Sequence, residues 1–354
     1  MVSFEIPLEF MGVPGSPYTR KMLALLRYRR IPYRLIPGSR HRVEPEHARY
    51  RQRPEPKVPL LPTFYGVDEA GKEIAVCDST PLIREIESLS AERSVIPDEP
   101  ALGLINSVLE DYADEWLTKA MFHYRWNYQP DIEKAGQMLP RWNNITASDT
   151  VMAERGQQIR ERQIARLRYV GSNSVTAETI EKSFLSFLDL IDKHLNICPF
   201  LLGKRPASSD FAVYGQLTCM ALFDPTPQKL ILERAPRVHA WTEVLEDLSG
   251  YEIKANDWLI SGTSKQKLPD SLVSLLAEVG RVYVPYLLAN AEALNAEKAE
   301  IKTTIAGSEW QQQAFPYQYK CLQWLRGEHK SLKNQQLEQF ESLVSGTDIM
   351  NLFN

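Results

Sequence analysis

The chain has 354 residues, of which 44% are hydrophobic and 24% are charged, so it is long enough for two domains, or for two domains and an extension. This composition is ordinary for a soluble globular protein. A formal net charge of -4 gives no reason to expect nucleic acid as the main partner.

A strand followed by a helix is predicted at the start of the chain. Residues 4–11 can form the strand, and a Gly/Pro turn leads into a helix over residues 16–30. Ser16 is a favoured N-cap residue and Pro17 a favoured first helical residue, so the free backbone amides there can form an anion site. Ser16 can equally be a helix cap with no further role. Helical spacing predicts a buried stripe at Tyr18, Met22, Leu25 and Leu26.

Three more short strands are predicted before residue 90. They span residues 33–36, 58–64 and 74–76, and a turn at 68–71 joins the last two as a hairpin. The strand over 58–64 begins at Val58-Pro59, and a proline there is also compatible with an edge strand. Residues 37–56 are irregular and basic, and such a charge run usually lies on a solvated face.

A second capped helix start is predicted at Cys77-Asp78-Ser79-Thr80-Pro81. Ser79 or Thr80 can cap this helix, whose apolar residues Leu82, Ile83, Ile86 and Leu89 have the spacing of a core face. Because the first amides of a helix are unpaired, this start is a second candidate anion site. Cys77 lies next to it, and at a strand end it is interpreted as a small core residue.

Residues 91–100 carry mixed charge and prolines and are predicted to be a linker, and the chain beyond them is predicted to be helical. The helix over 101–128 contains Tyr112 and Trp116 among acidic residues. So many aromatic residues on one helix usually indicate core packing. The acidic residues of this helix are Glu110, Asp111, Asp114 and Glu115.

Further helices are predicted from apolar periodicity along the rest of the chain. An aromatic and polar segment separates the last two of them. The helices span residues 152–169, 176–195, 236–248, 272–300 and a last stretch from about Asn334, and the aromatic segment spans 310–325.

Several common sites are absent from the sequence. None of the six histidines forms a His-Glu-x-x-His motif, and no Gly-x-Ser-x-Gly or Gly-x-x-x-x-Gly-Lys-Ser/Thr motif occurs. The four cysteines are far apart, which predicts neither a zinc site nor a disulfide framework and favours a reducing cytoplasm. The opening residues lack the pattern of a signal peptide, and the apolar residues 272–289 carry Glu278 and Arg281, so no membrane segment is expected.

Three of these signals follow one another in a recognisable order: Ser16-Pro17 at a helix start, Val58-Pro59 at a strand start, and Asp78-Ser79 at a second helix start. In this order they resemble the thioredoxin-like domain of the glutathione transferases. Residues 199–211 are similar to the segment that starts the central helix of the transferase helical domain, with Asp210 at the third helical position. Ala207 stands where that family usually has a capping Ser or Thr, so the reciprocal cap is half missing unless Ser208 supplies it.

The resemblance implies an α/β thioredoxin-like domain followed by an all-α domain, with an additional C-terminal helical extension. It implies these boundaries: a glutathione-binding domain over 1–90, a linker over 91–100, the all-α domain over 101–250 and the extension over 251–354.

The same resemblance implies roles for individual residues. Ser16 would lie beside the sulfur of glutathione, and a cis Val58-Pro59 bond would leave the Val58 backbone free to pair with the cysteinyl unit. Ser79 would hold the γ-glutamyl carboxylate and Asp78 its ammonium group. One or two cations of residues 40–57 would meet the glycyl carboxylate. Residues that could face an electrophile are Tyr18, Tyr112 and Trp116.

The implied function is a glutathione-dependent transferase or lyase acting on a small hydrophobic electrophile, as a cytoplasmic homodimer in detoxification. Glutathione is then a co-substrate, and Ser rather than Cys at position 16 argues against thiol-transferring members. The alternative is a catalytically silent, transferase-like binding or scaffold protein.

The aromatic content of the extension predicts that it is packed rather than disordered. Residues 310–325 interleave tryptophan, tyrosine and phenylalanine with glutamine and lysine. Either this segment folds back over the helical domain and narrows the electrophile pocket, or it packs on the outer surface and only stabilises the domain.

Overall fold

The computed structural model describes residues 2–38, 52–90, 92–260 and 267–354. The N-terminal part is a four-stranded sheet in the order β2-β1-β3-β4. β1 pairs with β2 in parallel, while β3 is antiparallel to both β1 and β4. The strands are β1 (Leu8–Gly12), β2 (Tyr33–Pro37), β3 (Thr63–Val67) and β4 (Glu73–Val76).

Two helices flank this sheet. Parallel strands need a crossover connection, and α1 (Pro17–Arg29) is the crossover between β1 and β2. The second helix, α2 (Ser79–Glu87), follows β4. Phe10 of β1 stacks on Phe64 of β3 with ring centroids 4.5 Å apart, and both rings are fully buried. The thioredoxin-like arrangement predicted for this part of the chain is confirmed.

The strand predicted over 58–64 is wrong in its start. β3 begins at Thr63, and Val58 and Leu60 are 50% and 56% exposed. The reason is that Pro59 and Pro62 have no backbone N–H, so sheet pairing starts only after the second proline. Within the described residues, the cis peptide bonds are Ile6-Pro7 and Leu61-Pro62, so the expected cis bond at Val58-Pro59 is also wrong.

The cap of α2 differs from the prediction by one residue. Asp78, with φ of 88°, is the N-cap, and Ser79 is the first helical residue. Most of the basic segment, residues 39–51, lies outside the described residues, and with it most of the cations predicted for the glycyl carboxylate. Arg53, which is described, donates to Glu73 at 2.7 Å and also pairs with Glu9, as expected for a solvated charged face.

The helical domain begins with one long helix that changes pitch. It consists of α3 (Pro100–Tyr112), a π-helical segment (Ala113–Leu117) and α4 (Thr118–Asn127). π-helical turns often occur at functional sites. The following helices are α5 (Gln129–Arg141), α6 (Asp149–Ile164), α7 (Leu167–Val170), α8 (Ala177–Leu195), α9 (Ser208–Met220), α10 (Pro225–Arg234) and α11 (Pro236–Val244).

The predicted start of the central helix is half capped, as its sequence indicated. Asp210 Oδ2 accepts a hydrogen bond from the Ala207 amide at 2.8 Å, and Oδ1 accepts one from the Leu201 amide at 2.8 Å. Ala207 occupies the N-cap, and Ser208 does not shift to replace it. The Ser208 hydroxyl instead donates to Glu110 at 2.6 Å.

The extension is not purely helical. Its elements are α12 (Asp270–Asn295), β5 (Glu300–Ile305), β6 (Ser308–Gln313), α13 (Pro316–Ser331), α14 (Asn334–Leu343) and a 3₁₀ turn (Ile349–Leu352). The β5-β6 hairpin follows the predicted helix, overlapping it only at residue 300, and includes the first part of the aromatic segment. Ala306 and Gly307 both have positive φ, the conformation that a two-residue hairpin turn requires. The domain boundaries at 90, 100 and 250 stay predictions.

Among the described residues, Asp270–Asn295 is long and apolar enough to cross a membrane by length and composition. Of its most apolar window, 61% is buried inside the protein, as in the core helix of a soluble protein. This helix contacts α8, α13 and the hairpin.

α1 and α9 pack closely where the two domains meet, and Gly215 makes this contact possible. A Cβ atom on Gly215 would lie 2.6 Å from the backbone oxygen of Pro17. We expect Gly215→Ala to cost about 1–3 kcal/mol of unfolding free energy, because backbone must move to relieve the overlap. Urea unfolding measures this cost. Gly327→Ala is the control, since a Cβ there meets open space in α13, and a variant pair of equal stability would contradict the prediction.

Candidate active site

Ser16 lies at the N-terminus of α1, as predicted. Its Oγ accepts a hydrogen bond from the Thr19 amide at 3.2 Å, which is the N-cap interaction. The same hydroxyl lies 3.4 Å from the backbone oxygen of Leu61, to which it donates. At this length the second bond is weak, so a stronger acceptor can compete for the Ser16 proton. Ser16 therefore faces the loop that enters β3, where the first helix and the sheet meet.

The loop before Ser16 is held by the helical domain. Arg125 of α4 donates from Nη1 to the Gly15 oxygen at 3.1 Å. Its Nε lies 2.9 and 3.0 Å from the two carboxylate oxygens of buried Asp224. The ring of Trp142 lies against Gly15, since a Cβ there would be 2.4 Å from it. A buried guanidinium with a buried counter-ion fixes the main chain next to Ser16.

The second helix start is backed by a buried lysine. Lys21 of α1 donates from Nζ to the Ser79 hydroxyl at 3.1 Å, and both side chains are buried. Ser79 accepts this bond, which leaves its own proton available to a carboxylate. The positive charge of Lys21 thus lies directly behind the residue predicted to hold the γ-glutamyl carboxylate.

Lys21 also pairs with two carboxylates of the helical domain. Its Nζ lies 2.6 Å from Asp114 and 2.9 Å from Glu110. Arg84 donates to the other Glu110 oxygen at 3.0 Å. Burial raises the pKa of Glu110, but Lys21 and Arg84 outweigh it and hold this pKa at about 2. For Asp114 burial prevails over Lys21 and raises the pKa above its usual value.

Asp78 makes a contact that the sequence did not predict. Its Oδ2 accepts a hydrogen bond of 2.8 Å from the hydroxyl of Tyr317, which lies on α13 of the extension. Burial raises the pKa of Asp78, and the nearby Tyr317, Lys21 and Lys320 oppose that change. The residue predicted to bind the ammonium group is therefore already touched by the C-terminal extension.

The aromatic residues predicted for an electrophile pocket do not form an open wall. Tyr112 and Trp116 are 1% and 2% exposed, and the Trp116 ring packs 5.2 Å from Trp310 and 5.6 Å from Tyr286 of the extension. The burial of these two residues under the extension agrees with the core interpretation, and their role at an electrophile pocket stays a prediction. Tyr18 is only partly buried and donates to the backbone oxygen of Asp114 at 2.8 Å.

Val58 and Pro59 lie in the exposed approach to β3. The Val58 oxygen accepts a hydrogen bond from the Cys77 thiol at 3.2 Å, so this loop is tied to the residue before Asp78. Burial raises the pKa of Cys77, which keeps it a thiol rather than a reactive thiolate. The binding roles of Val58, Pro59, Asp78, Ser79 and Ser16 stay predictions. Within the described residues, no group of three or more His, Cys, Asp or Glu side chains could hold a metal ion.

Sequence reasoning missed three polar residues that shape this region. Lys21 follows Tyr18 by three residues and precedes Leu25 by four, so helical spacing places it on the buried stripe. This spacing is the signal from which its burial could have been predicted. The acidic residues of α3 and of the π-helical segment form a patch in the sequence, and burial of such carboxylates requires a cation as partner. No comparable signal identifies Arg125 or Tyr317, whose contacts span 110 and 239 residues of sequence.

The comparisons with known proteins give one family match, in the N-terminal part of the chain. Residues 10–94 match the family model described as "Glutathione S-transferase, N-terminal domain". No curated protein matches the chain. Among solved structures, a glutathione S-transferase of Ceriporiopsis subvermispora in complex with glutathione is similar at 18% identity and a TM-score of 0.44, with 70% of this chain and 99% of that chain covered. A glutathione S-transferase from Rhodospirillum rubrum is similar at 16% identity and a TM-score of 0.41, covering 71% and 95%.

The protein has a thioredoxin-like domain joined to a helical domain, with Ser16 capping α1 and Asp78 at the N-cap position of α2. What is shown of the family is the match of residues 10–94 to the glutathione S-transferase N-terminal domain.

Proposed function

We propose that this protein is a glutathione-dependent transferase or lyase that activates the glutathione thiol for attack on a small hydrophobic electrophile. The observation that carries the proposal is the Ser16 hydroxyl, which is held at the start of α1 and donates only weakly to the Leu61 oxygen. The match of residues 10–94 to the glutathione S-transferase N-terminal domain supports glutathione as the ligand of this domain.

The energetic requirement is modest. A free thiol has a pKa of about 8.5, and lowering it by about two units needs roughly 2.7 kcal/mol of preferential thiolate stabilisation. A helix terminus supplies about 0.3–1 kcal/mol and a hydrogen bond to a charged group about 1.5–3 kcal/mol. The Ser16 donor would therefore contribute most of the stabilisation. In the reaction the sulfur forms a bond to the electrophilic carbon, and the leaving group departs with the electron pair of the broken bond.

The electrophile is proposed to bind beside Trp142. This side chain is partly exposed, lies against Gly15 and packs 5.1 Å from Phe223, so it presents an apolar surface next to the Ser16 loop. The proposal also includes a cytoplasmic, homodimeric protein with a role in detoxification, as the resemblance implies.

A second candidate is a catalytically silent binding protein. It is supported by the burial of Tyr112 and Trp116, two of the three residues predicted to face an electrophile. Both candidates assume that the protein binds glutathione, and a thermal-shift assay tests this. A ligand at about 100 times its dissociation constant stabilises the folded protein by about 2.7 kcal/mol. Binding without turnover of aryl halides or ethers would favour the silent protein.

Ser16→Ala tests the catalytic proposal. We expect the variant to fold, at a cost of about 1 kcal/mol for the lost cap. The pKa of bound glutathione should rise by about one to two units, because the hydrogen bond to the thiolate is lost. Titration of the thiolate absorbance measures this change.

Ser148→Ala is the matched control. Ser148 caps α6 through the Val151 amide and lies outside the candidate site, so its loss should cost similar stability and leave the thiol pKa unchanged. An unchanged thiol pKa in Ser16→Ala would remove Ser16 from the mechanism.

A further inference from the structure

The Tyr317 hydroxyl is presented to Asp78 by a fixed part of the extension. Asn290, which is fully buried, donates to the Phe315 oxygen at 3.0 Å and accepts from the Phe315 amide at 2.8 Å. One residue after Tyr317, buried Gln318 donates to Glu115 at 2.8 Å. The start of α13 is therefore held before Tyr317 by α12 of the extension and after it by Glu115 of the helical domain.

One further contact joins α13 to α2, and a second holds the Tyr317 ring within α13. Arg84 of α2 lies 3.9 Å from Glu328 of α13, three turns after Tyr317. The Tyr317 ring packs perpendicular to Trp324 at 6.2 Å, which restricts its rotation. α13 therefore meets α2 at Arg84, and the Tyr317 ring that reaches Asp78 is packed against its own helix.

A neutral hydrogen-bond donor such as the Tyr317 hydroxyl can orient the Asp78 carboxylate and leave it negatively charged. Burial raises the pKa of Tyr317, so its hydroxyl keeps its proton and donates. A carboxylate has about four acceptor positions, and one neutral hydrogen bond orients it without cancelling its charge. Asp78 held in this way still attracts a cation, and its partial burial strengthens that attraction.

We propose that Tyr317 is a positioning residue for ligand recognition: it orients Asp78 so that the carboxylate binds the primary ammonium group of a γ-glutamyl peptide. This inference rests on the proposed function, because it assumes that glutathione binds with its γ-glutamyl end at the start of α2. It makes the C-terminal extension a part of the ligand site. The extension then sets the preference for ligands that carry the amino group.

The test compares two probes in the full-length protein by isothermal titration calorimetry. One is glutathione, and the other is glutaryl-cysteinyl-glycine, which lacks only the amino group. We expect Tyr317→Phe to weaken glutathione binding by about tenfold, since a hydrogen bond to a charged group is lost, and to leave binding of the second probe unchanged. Tyr319→Phe, two residues away and also partly buried, is the control and should preserve the ratio of the two affinities.

The outcomes separate the inference from the proposed function. Equal losses for both probes, or an unchanged ratio, would overturn the positioning role, and tighter binding of glutathione would show that Tyr317 blocks the site instead. Asp78→Asn provides a second route if Tyr317→Phe is poorly folded: it should abolish the preference for the amino group, and a persistent preference would also overturn the inference. If the unmodified protein binds neither probe, the proposed function itself is wrong.

Discussion

A chain truncated after Gly250 is expected not to fold into a stable domain. The truncation removes α12, whose residues Leu272, Leu276, Val279 and Tyr283 are fully buried. It also uncovers the rings of Tyr112 and Trp116. Burial of each large apolar side chain is worth about 1.5–3 kcal/mol, while whole proteins are stable by only about 5–15 kcal/mol. The burial free energy lost with α12 therefore exceeds the free energy of unfolding of a typical protein.

The measurement is urea unfolding followed by circular dichroism, together with size-exclusion chromatography of the purified chain. We expect aggregation, or a broad transition without cooperativity. The two original hypotheses for the extension predict other results: an outer support would give a folded but weaker domain, and a simple lid would leave stability unchanged. A truncated chain that unfolds cooperatively at the urea midpoint of the full-length protein would contradict the structural role assigned here.

The local features of the site could be predicted because short-range chemistry determines them. Ser16 followed by Pro17 marks a helix start in sequence, and the structure has the cap that this pair indicates. The hairpin turn at Asp68 is equally local, with its carboxylate accepting from the Ala70 amide at 2.9 Å. The Val58-Pro59 prediction failed because a second proline, Pro62, moved the start of sheet pairing.

The tertiary features could not be predicted for a physical reason. Trp116 has the same apolar character whether it lines a pocket or meets another ring, and only Trp310, far along the chain, decides between these. The hairpin of the extension was missed although Ile301 and Ile305 are buried on one face, because a single pair of strands gives a weak signal. The contact between Tyr317 and Asp78 depends on the docking of a whole helix.

The ion cluster around Lys21 leads to the second large expected effect. Lys21→Met preserves most of the side-chain volume but removes the cation that faces Asp114 at 2.6 Å and Glu110 at 2.9 Å. Breaking a buried pair by removal of one partner costs about 3–5 kcal/mol, because an uncompensated charge stays buried. Arg84 still pairs with Glu110, so the unpaired carboxylate is that of Asp114.

A matched surface variant separates this effect from simple loss of a salt bridge. Lys182 lies 2.6 Å from Glu178, and its side chain is 69% exposed. Lys182→Met should cost less than about 1 kcal/mol, as exposed pairs contribute little. Urea unfolding of both variants gives the comparison, and similar costs would show that the Lys21 cluster is not a buried pair in solution.

The pH dependence identifies the carboxylate responsible. Burial already raises the pKa of Asp114 in the native state, and removal of Lys21 raises it further. Between the unfolded and the native pKa, the native state then binds more protons than the unfolded state, so the stability of Lys21→Met falls as pH rises through this range. We expect the cost of the substitution to be smaller near about pH 5 than near about pH 8. Adding Asp114→Asn should recover part of the lost stability and reduce this pH dependence, since the group that must be buried without a partner is then neutral. A cost that is equal at both pH values, and that Asp114→Asn does not reduce, would assign the role of Lys21 to packing instead of charge.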